Sequence, residues 1–290
     1  MTTLGAVFLP SLPPERLRPI AEAADDAGLE ELWLWEDCFR ESGVAAMSAA
    51  MAWTERLRVG IGLLPVPMRN VALTAMEVAT LERMFPGRPV VGVGHGVLDW
   101  MGQIGARAAS PLTLLGEYLD ALRALLRGEE VTADGRYVRL DRVRLDWPPE
   151  RAVPVLAGAE GPKTLELVGA RADGTILPGG STPERVRAAR DRIDAGRASA
   201  GRTDPHPLVV YVVAATGARA QERFLGYCAR HGVDPAEYPA AVGEAPQVAD
   251  AVLRWADAGA DTVVLQPTDD DPDPEGFVRF VAEEIRPLVP

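Results

Sequence analysis

The stretch PVLAGAEGPKTLELVGARADGTIL, residues 154–177, contains a complete β–α–β unit. Two short runs rich in Val, Leu and Ile flank a segment with helical periodicity that begins at Pro162, and proline is favoured at the first position of a helix. Short runs of this apolar character are typical of buried parallel strands. The stretch therefore predicts one repeat of an α/β fold with parallel strands.

The same alternation extends over almost the whole chain. Short apolar runs predict eight strands, at residues 5–9, 31–35, 58–64, 89–94, 153–157, 174–177, 208–214 and 261–266. Helical patterns cover residues 14–27, 71–84, 112–126, 162–172, 183–200, 218–231, 245–258 and 274–285. Eight such units predict an α/β fold of the (β/α)8 TIM barrel type, with a single domain over residues 1–290.

One segment interrupts this alternation, and one alternative fold competes with the barrel. Residues 130–145, with Asp134-Gly135 between alternating residues, predict a β-hairpin insertion at about residues 129–147, between helix 4 and strand 5 of the barrel. The alternative is a doubly wound sheet, which predicts a G-x-G-x-x-G turn after an early strand. The single candidate, GVGHG at residues 92–96, follows the fourth strand and lacks the third spacing, so we reject this fold.

The composition argues against several classes of protein. The 290 residues include 30 basic and 42 acidic side chains, and a net charge of −12 disfavours nucleic-acid and membrane-surface partners. Of the basic residues, 29 are Arg and one, Lys163, is Lys. Two cysteines, Cys38 and Cys228, fit neither a disulfide framework nor a zinc site. We therefore expect a cytoplasmic protein without a bound metal, since the chain also shows no leader pattern and no run of 18 apolar residues.

The active site of such a barrel lies at the carboxyl ends of the strands. Two segments there resemble anion sites. Gly158–Gly161 leads into the helix that begins at Pro162, where backbone N–H groups and the helix dipole favour a phosphate. Lys163 in the first turn adds a cation, although a plain turn with a surface lysine is the alternative reading. His95, between two glycines, is the second candidate, either as a donor to a phosphate or carbonyl or as a buried structural histidine.

The end of the second strand carries further candidates. Glu36 and Asp37 are adjacent, so an extended chain directs them to opposite sides, and at most one is expected to face the barrel mouth. Cys38 has no accompanying His and Asn pattern, and we interpret it as a packed thiol. Trp33 and Trp35 share one face of the strand. Their side chains either pack in the core or stack on a flat cofactor, and the sequence leaves both alternatives open.

Several segments resemble the bacterial luciferase-like family of flavin-dependent oxidoreductases. These segments occur in the same order as in the family, over about residues 1–180. They are LWLWEDCF (32–39), RVGIGLLPVPMRNVALTAMEVATLERMFPGR (58–88), VGVGHG (91–96), GRYVRL (135–140) and PVLAGAEGPKTLELVGARADGTI (154–176). The segment GPKTLELVGARADG is the most specific, and it is most similar to the branch that uses the deazaflavin coenzyme F420. The family fold is a (β/α)8 barrel, in agreement with the strand count.

The resemblance implies roles for individual residues. Asp37 matches a position that contacts the flavin ring, and Gly62 to Leu64 match a bulged segment behind the ring. Two turns match cofactor-binding positions near the phosphate, Gly94, His95 and Gly96 in the first and Gly158, Ala159, Glu160, Gly161, Pro162, Lys163 and Thr164 in the second. The implied substrate pocket comprises Cys38, Val97, Trp100, Pro178, Gly179 and Ser181.

The resemblance also implies an activity, the transfer of a hydride between coenzyme F420 and a small organic substrate. Asp37, His95 and Asp99 are the candidate catalytic residues, with His95 or Asp99 as proton donor. The sugar-phosphate dehydrogenases of the branch have His and Glu where this chain has Cys38 and Val97, and their phosphate-binding Thr and Lys match Pro178 and Ser181 here. Oxidation of a sugar phosphate is therefore not expected.

Two other functions remain open at this point. The first is an FMN-dependent two-component monooxygenase that uses reduced flavin and O2 and depends on a separate flavin reductase. The second is a non-catalytic flavin-binding or partner subunit. The family further implies a homodimer, formed by the helices beside the second and third strands. Ala45, Ala46, Ala49, Ala50 and Met51 offer a small apolar face there, which core packing explains equally well.

Overall fold

The computed structural model describes residues 2–290, which form a closed barrel of parallel strands surrounded by helices. Eleven strands are present in this range: β1 Thr3–Val7, β2 Glu31–Leu34, β3 Arg58–Pro65, β4 Pro89–Gly94, β5 Val131–Asp134, β6 Arg139–Val143, β7 Val155–Gly158, β8 Gly174–Leu177, β9 Leu208–Thr216, β10 Ala240–Gly243 and β11 Thr262–Pro267. The barrel order is β1-β2-β3-β4-β7-β8-β9-β11, and pairing of β11 with β1 closes the ring. The predicted eight-stranded TIM barrel is confirmed.

Ten α-helices occur in the described residues, and all except α4 cover the outside of the barrel. They are α1 Leu17–Ala27, α2 Gly43–Trp53, α3 Val71–Met84, α4 Leu98–Gln103, α5 Pro111–Leu126, α6 Pro162–Arg171, α7 Pro183–Ser199, α8 Ala220–His231, α9 Ala245–Asp257 and α10 Pro274–Arg279. Local signals explain many of the ends. Helix α1 stops at Gly28, which adopts the left-handed conformation with φ 78°, and Thr182 caps α7 by accepting a hydrogen bond from the Arg185 N–H. No helix in residues 2–290 has the length and apolar character needed to cross a bilayer.

The pleat of the strands separates two apolar layers. Leu32 and Leu34 of β2 pack outward against the helices, whereas Trp33 points into the barrel and is fully buried. Glycines make room for the indole, because a Cβ built on Gly60 would lie 2.5 Å from Cδ2 of Trp33. The Trp33 Nε1–H donates to the buried Glu31 carboxylate at 2.9 Å, which satisfies the polar atom of the ring inside the core.

The predicted hairpin insertion is present as β5 and β6, between α5 and β7. Its turn is held against α5 by Glu117, whose carboxylate accepts the backbone N–H groups of Arg136, Tyr137 and Val138 at 2.9, 2.8 and 3.0 Å. The hairpin therefore lies outside the barrel and leaves the strand order β4-β7 unbroken.

The helical patterns in the sequence did not include α2 Gly43–Trp53, which only the family resemblance implied, and two further elements were missed altogether. Strand β10 pairs with the last four residues of β9, on the side that β8 leaves open because β8 ends at Leu177. Its sequence AAVG is too short for any periodicity to predict it. Helix α4 begins at Leu98, where the sequence predicted no helix, and has only six residues and no side-chain cap. Both elements depend on tertiary contacts rather than on local signals.

Candidate active site

A cavity of about 500 Å³ opens at the carboxyl ends of the barrel strands. Its walls come from the ends of β2, β3, β4, β7, β8, β9 and β11 and from the loops that follow several of them. The lining residues are Trp35, Glu36, Asp37, Gly62, Leu63, Pro65, His95, Gly96, Val97, Trp100, Gly158, Ala159, Glu160, Gly161, Thr164, Ile176, Pro178, Gly179, Tyr211 and Gln266. The cavity therefore lies at the end of the barrel where the sequence analysis placed the active site.

A bulge in β3 shapes one wall of the cavity. The pairing of β3 with β4 shifts register between Ile61 and Leu64, and the Gly62–Leu63 peptide is cis. The Leu63 side chain fills the space above two glycines, since a Cβ built on Gly94 would lie 2.6 Å from Leu63 Cδ2 and one on Gly158 would also clash with it. Leu63 therefore presents an apolar surface to the cavity, whereas Leu64, a predicted contact, is buried in the outer layer.

Tyr211 of β9 lines the cavity and was not identified from the sequence. It packs edge-on against Trp33 and Trp35, with ring centroids 5.8 and 5.6 Å apart. Its hydroxyl is 3.4 Å from the Gly62 carbonyl oxygen in the bulge. Burial raises the pKa of Tyr211, so the phenol stays protonated and can donate to that carbonyl. The only sequence signal was a single tyrosine in an otherwise apolar strand.

The loop after β2 is anchored by a buried ion pair. The Glu36 carboxylate accepts a hydrogen bond from the Gly43 N–H at 2.8 Å. It also accepts hydrogen bonds from both terminal nitrogens of the Arg69 guanidinium, one of them at 3.1 Å. The Arg69 Nε also donates to Glu77 at 3.2 Å. Burial alone would lower the pKa of Arg69, but the two carboxylates outweigh it and raise that pKa. This network ties the start of α2 to the segment that follows β3.

Asp37 follows this pair and is half-buried in the cavity wall. Burial raises the pKa of Asp37, with Arg40 opposing the shift. Glu36 and Asp37 both line the cavity, against the expectation that only one would, because β2 ends at Leu34 and the backbone no longer alternates. The Glu36 carboxylate is occupied by Arg69, so Asp37 offers the accessible carboxylate on this side.

His95 lies in the turn after β4, two strands from β2 in the barrel. Its Nδ1 is buried without a hydrogen-bond partner in the described part of the chain, and burial lowers the pKa of His95, so the ring is neutral near pH 7. The neighbouring Gly96 has φ 67°, and a Cβ there would lie 2.8 Å from Pro65 Cβ. Asp99, the other predicted proton donor, is exposed on α4 and does not line the cavity.

The turn before α6 forms the next part of the wall. Gly158, Ala159, Glu160, Gly161 and Thr164 line the cavity, and no side chain caps the start of α6. The first amides of a helix have no intrahelical acceptor, so this end of α6 presents backbone N–H donors. Lys163 is exposed and does not contribute to the wall, and Pro162 borders a neighbouring groove instead.

The predicted substrate-pocket residues divide into two groups. Val97, Trp100, Pro178 and Gly179 line the cavity. Cys38 and Ser181 do not. The Cys38 Sγ contacts Met68 Sδ at 3.5 Å, and burial, with Glu36 and Asp37, raises the pKa of the thiol. The buried Ser181 hydroxyl donates to the Pro178 carbonyl at 2.8 Å, which shapes the loop after β8.

The barrel and the position of its cavity define the class of protein. A sequence model described as luciferase-like monooxygenase matches residues 3–240. This chain therefore belongs to the luciferase-like monooxygenase family, as the resemblance in the sequence predicted.

Individual relatives and structures refine the comparison. The chain is 29% identical over 251 residues to a 5,10-methylenetetrahydromethanopterin reductase of Methanolobus tindarius, which covers 81% of this chain and 76% of that protein. It is 31% identical over 184 residues to an F420-dependent glucose-6-phosphate dehydrogenase of Nakamurella multipartita, covering 59% of this chain and only 54% of that protein. The structure of an F420-dependent tetrahydromethanopterin reductase from Methanopyrus kandleri superimposes with a TM-score of 0.86, at 21% identity, covering 100% and 99% of the two chains.

Proposed function

We propose that this protein is an oxidoreductase that transfers a hydride between coenzyme F420 and a small organic substrate. The observation that carries the proposal is the cavity itself, in which an apolar wall around Leu63 and Trp35 adjoins the uncapped start of α6. A flat ring system that ends in a phosphate needs both surfaces. The relatives named as F420-dependent enzymes support this choice of cofactor.

The residues present fit such a cofactor. The N–H groups at the start of α6 and the Thr164 side chain would hold the phosphate end, and the unpartnered Nδ1 of His95 is a further polar contact. Asp37 would bind the edge of the ring, and Leu63 in the β3 bulge would lie against its face. Lys163, exposed outside the cavity wall, would act only through its charge. When bound, the deazaflavin supplies or accepts the hydride.

The chain's own residues supply orientation, a dry environment and a proton site. Trp35, Leu63, Val97 and Trp100 line the cavity, and a bound cofactor and substrate packed against these apolar side chains would displace water from it. His95 is the proposed proton site, because its neutral ring lies in the wall while Asp99 lies outside it. Burial raises the pKa of Asp37, which makes this carboxyl a second group able to hold a proton close to the ring.

The charge of the cavity wall favours substrates without a phosphate. Among the residues that line the cavity in the described part of the chain, none is Lys or Arg. Asp37 and Glu160 are acidic, as is Glu36, whose carboxylate pairs with Arg69. A sugar phosphate would meet no cationic side chain there. We therefore propose that glucose 6-phosphate is not turned over, in contrast to the dehydrogenase relative.

A cofactor titration tests the proposal. Trp35 and Trp100 line the cavity, so binding should quench the intrinsic fluorescence. We expect saturable quenching by oxidised F420 and a loss of affinity of about tenfold or more in Asp37→Asn, as for loss of a hydrogen bond to a charged group. Asp26→Asn, an exposed aspartate on α1, is the matched control and should bind normally. Tight binding of FMN with none of F420 would refute the proposal.

The alternative is an FMN-dependent two-component monooxygenase, and the name of the matched family favours it. This reaction would need reduced FMN, O2 and a separate reductase as partner. The fluorescence titration separates the two candidates, because the monooxygenase requires FMN to bind at least as well as F420. Oxygen consumption with reduced FMN and a reductase would support the alternative directly.

We also propose that the protein forms a homodimer through α2 and α3. The small apolar face predicted on α2 is wrong as an interface, because Ala46, Ala50 and Met51 are buried in the core. Exposed apolar side chains occur instead on one face of α3, at Leu73, Met76 and Met84, and at Trp53 at the end of α2. A cluster of exposed large apolar side chains is typical of an interaction surface. Sedimentation equilibrium of the wild type and of Met76→Asp tests this, with a monomeric wild type as the refuting result.

We further propose a cytoplasmic location. Cys38 and Cys228 are both free thiols, which suits a reducing compartment. Fractionation of the producing cells, followed by immunodetection, tests the location, and recovery outside the cytoplasm would contradict it.

A further inference from the structure

We propose that the side-chain amide of Gln266 binds the polar group of the substrate and selects substrates in which this group is an uncharged carbonyl or hydroxyl. The inference rests on the proposed function, because it concerns the molecule that exchanges the hydride with F420. Gln266 is the next-to-last residue of β11 and lies in the cavity wall, and it was not identified from the sequence.

The pleat of β11 turns Gln266 into the barrel. Val264, two residues earlier, packs in the inner apolar layer with Trp33, whereas Val263 and Leu265 belong to the outer layer. Residues two apart in a strand share a face, so Gln266 continues the inner face at the end that opens into the cavity. The residue is 8% exposed, and a buried amide requires hydrogen-bond partners.

Two tyrosine side chains that do not line the cavity lie beside this amide. The rings of Tyr227 and Tyr238 have centroids 5.8 Å apart. A Cβ built on Gly179 would lie 3.5 Å from Tyr238 Oη and 3.6 Å from Gln266 Oε1. Burial raises the pKa of Tyr227, and the Tyr238 hydroxyl adds to this effect while the Gln266 amide opposes it, so the phenol stays protonated. A carboxamide has two donors and two acceptor lone pairs, of which the tyrosine hydroxyls can take up only part.

The strand order separates Gln266 from the proposed cofactor contacts. Asp37 follows β2, Leu63 belongs to β3 and α6 follows β7, and these strands form one half of the ring together with β4. β11 lies four strands from β4 in either direction, so Gln266 lies across the mouth of the barrel from His95. The half formed by β8, β9, β11 and β1 is left for the substrate, and Gln266 belongs to it.

The cavity lining in this half is uncharged. Ile176 and Pro178 offer no side-chain hydrogen bond, and the Tyr211 hydroxyl lies 3.4 Å from the Gly62 carbonyl oxygen, to which it donates. Among the described residues that line this half, Gln266 is therefore the one whose side chain has unused hydrogen-bonding groups. Its amide can donate to a carbonyl or accept from a hydroxyl, whereas an anion buried there would find no cation.

The test uses three probes built on one ring, cyclohexanone, cyclohexanol and cyclohexanecarboxylate. Their dissociation constants for the complex of the protein with oxidised F420 are measured by saturation-transfer NMR. We expect the wild-type complex to bind the ketone and the alcohol at least about tenfold more tightly than the carboxylate. Gln266→Met keeps the length of the side chain and should bind the ketone about tenfold more weakly, as for loss of one or two neutral hydrogen bonds. Gln221→Met, at an exposed glutamine on α8, is the matched control and should bind all three probes as the wild type does.

A second variant reaches the same amide without replacing it. The new Cβ in Gly179→Ala would make ordinary van der Waals contacts with Tyr238 and Gln266, so the substitution should keep the fold but cover the amide with a methyl group. It should weaken binding of the ketone as Gln266→Met does. Thermal unfolding and the F420 titration should give wild-type values for both variants, because Gln266 lies outside the half of the ring that holds the cofactor.

The outcomes distinguish this inference from the proposed function. If F420 binds but neither the ketone nor the alcohol binds, or the carboxylate binds as well as they do, the inference is wrong while the proposed function stands. The same holds if either folded variant binds the ketone like the wild type. If F420 itself does not bind, the proposed function fails and the inference fails with it.

Discussion

Arg69→Met should destabilise the whole barrel by removing one half of a buried ion pair. The side chains of Arg69 and Glu36 are only 13% and 6% exposed. After the substitution, the Glu36 carboxylate keeps the Gly43 N–H but loses both guanidinium contacts. Loss of one partner of a buried pair costs about 3–5 kcal/mol, because the remaining charge stays desolvated. With about 2–4 °C for each kcal/mol in a domain of this size, Tm should fall on the order of 10 °C.

The assay is thermal unfolding followed by circular dichroism at pH 7, with a second substitution as an internal check. Glu36→Gln in the Arg69→Met background removes the uncompensated charge and should recover more than half of the lost Tm. Arg18→Met is the control, because Arg18 pairs with Glu22 on the surface and should change the free energy of unfolding by about 0.5 kcal/mol or less.

The same substitution should also weaken cofactor binding, since Glu36 precedes Asp37 in the cavity wall. A Tm shift below 2 °C for Arg69→Met would refute the reasoning. So would a double variant that is no more stable than the single one, because the cost would then not arise from a stranded charge.

Three further predictions follow from the same geometry. Gly94→Ala should lower the free energy of unfolding by about 1–3 kcal/mol and weaken cofactor binding, because the new Cβ would lie 2.6 Å from Leu63 Cδ2. An unchanged midpoint of urea unfolding would contradict this prediction. Tyr211→Phe should lower the free energy of unfolding by about 1 kcal/mol or less, because the tyrosine hydroxyl makes a long contact of 3.4 Å to the Gly62 carbonyl oxygen. A loss above about 3 kcal/mol in urea unfolding would contradict this prediction. Burial, aided by nearby arginines, lowers the pKa of His206 from 6.5 to about 4, so the unfolded chain binds a proton at higher pH than the folded chain does. The free energy of unfolding should therefore fall by at most about 3 kcal/mol as the pH drops from 6.5 to about 4. His206→Asn should flatten the dependence of Tm on pH, and parallel curves for the variant and the wild type would refute this.

The sequence by itself determined the architecture of this protein. Each of the eight barrel strands is a short apolar run, and most of the long helices have their own periodicity and end signals, so these elements can be recognised within a window of about 15 residues. The β–α–β unit at residues 154–177 is the clearest case, with Pro162 starting α6 as predicted. The count of eight units then required a closed barrel, and the barrel located the site at the carboxyl ends of the strands.

Only the tertiary structure decided which side chains meet in that site. Tyr211 reaches the Gly62 carbonyl across 149 residues of sequence, and Arg69 pairs with Glu36 across 33. The bulge in β3 turns Leu63 rather than Leu64 into the cavity, and the exposed positions of Asp99 and Lys163 remove them from its wall. Local patterns cannot contain this information, because the register between strands and the side on which a loop side chain emerges depend on packing between distant segments.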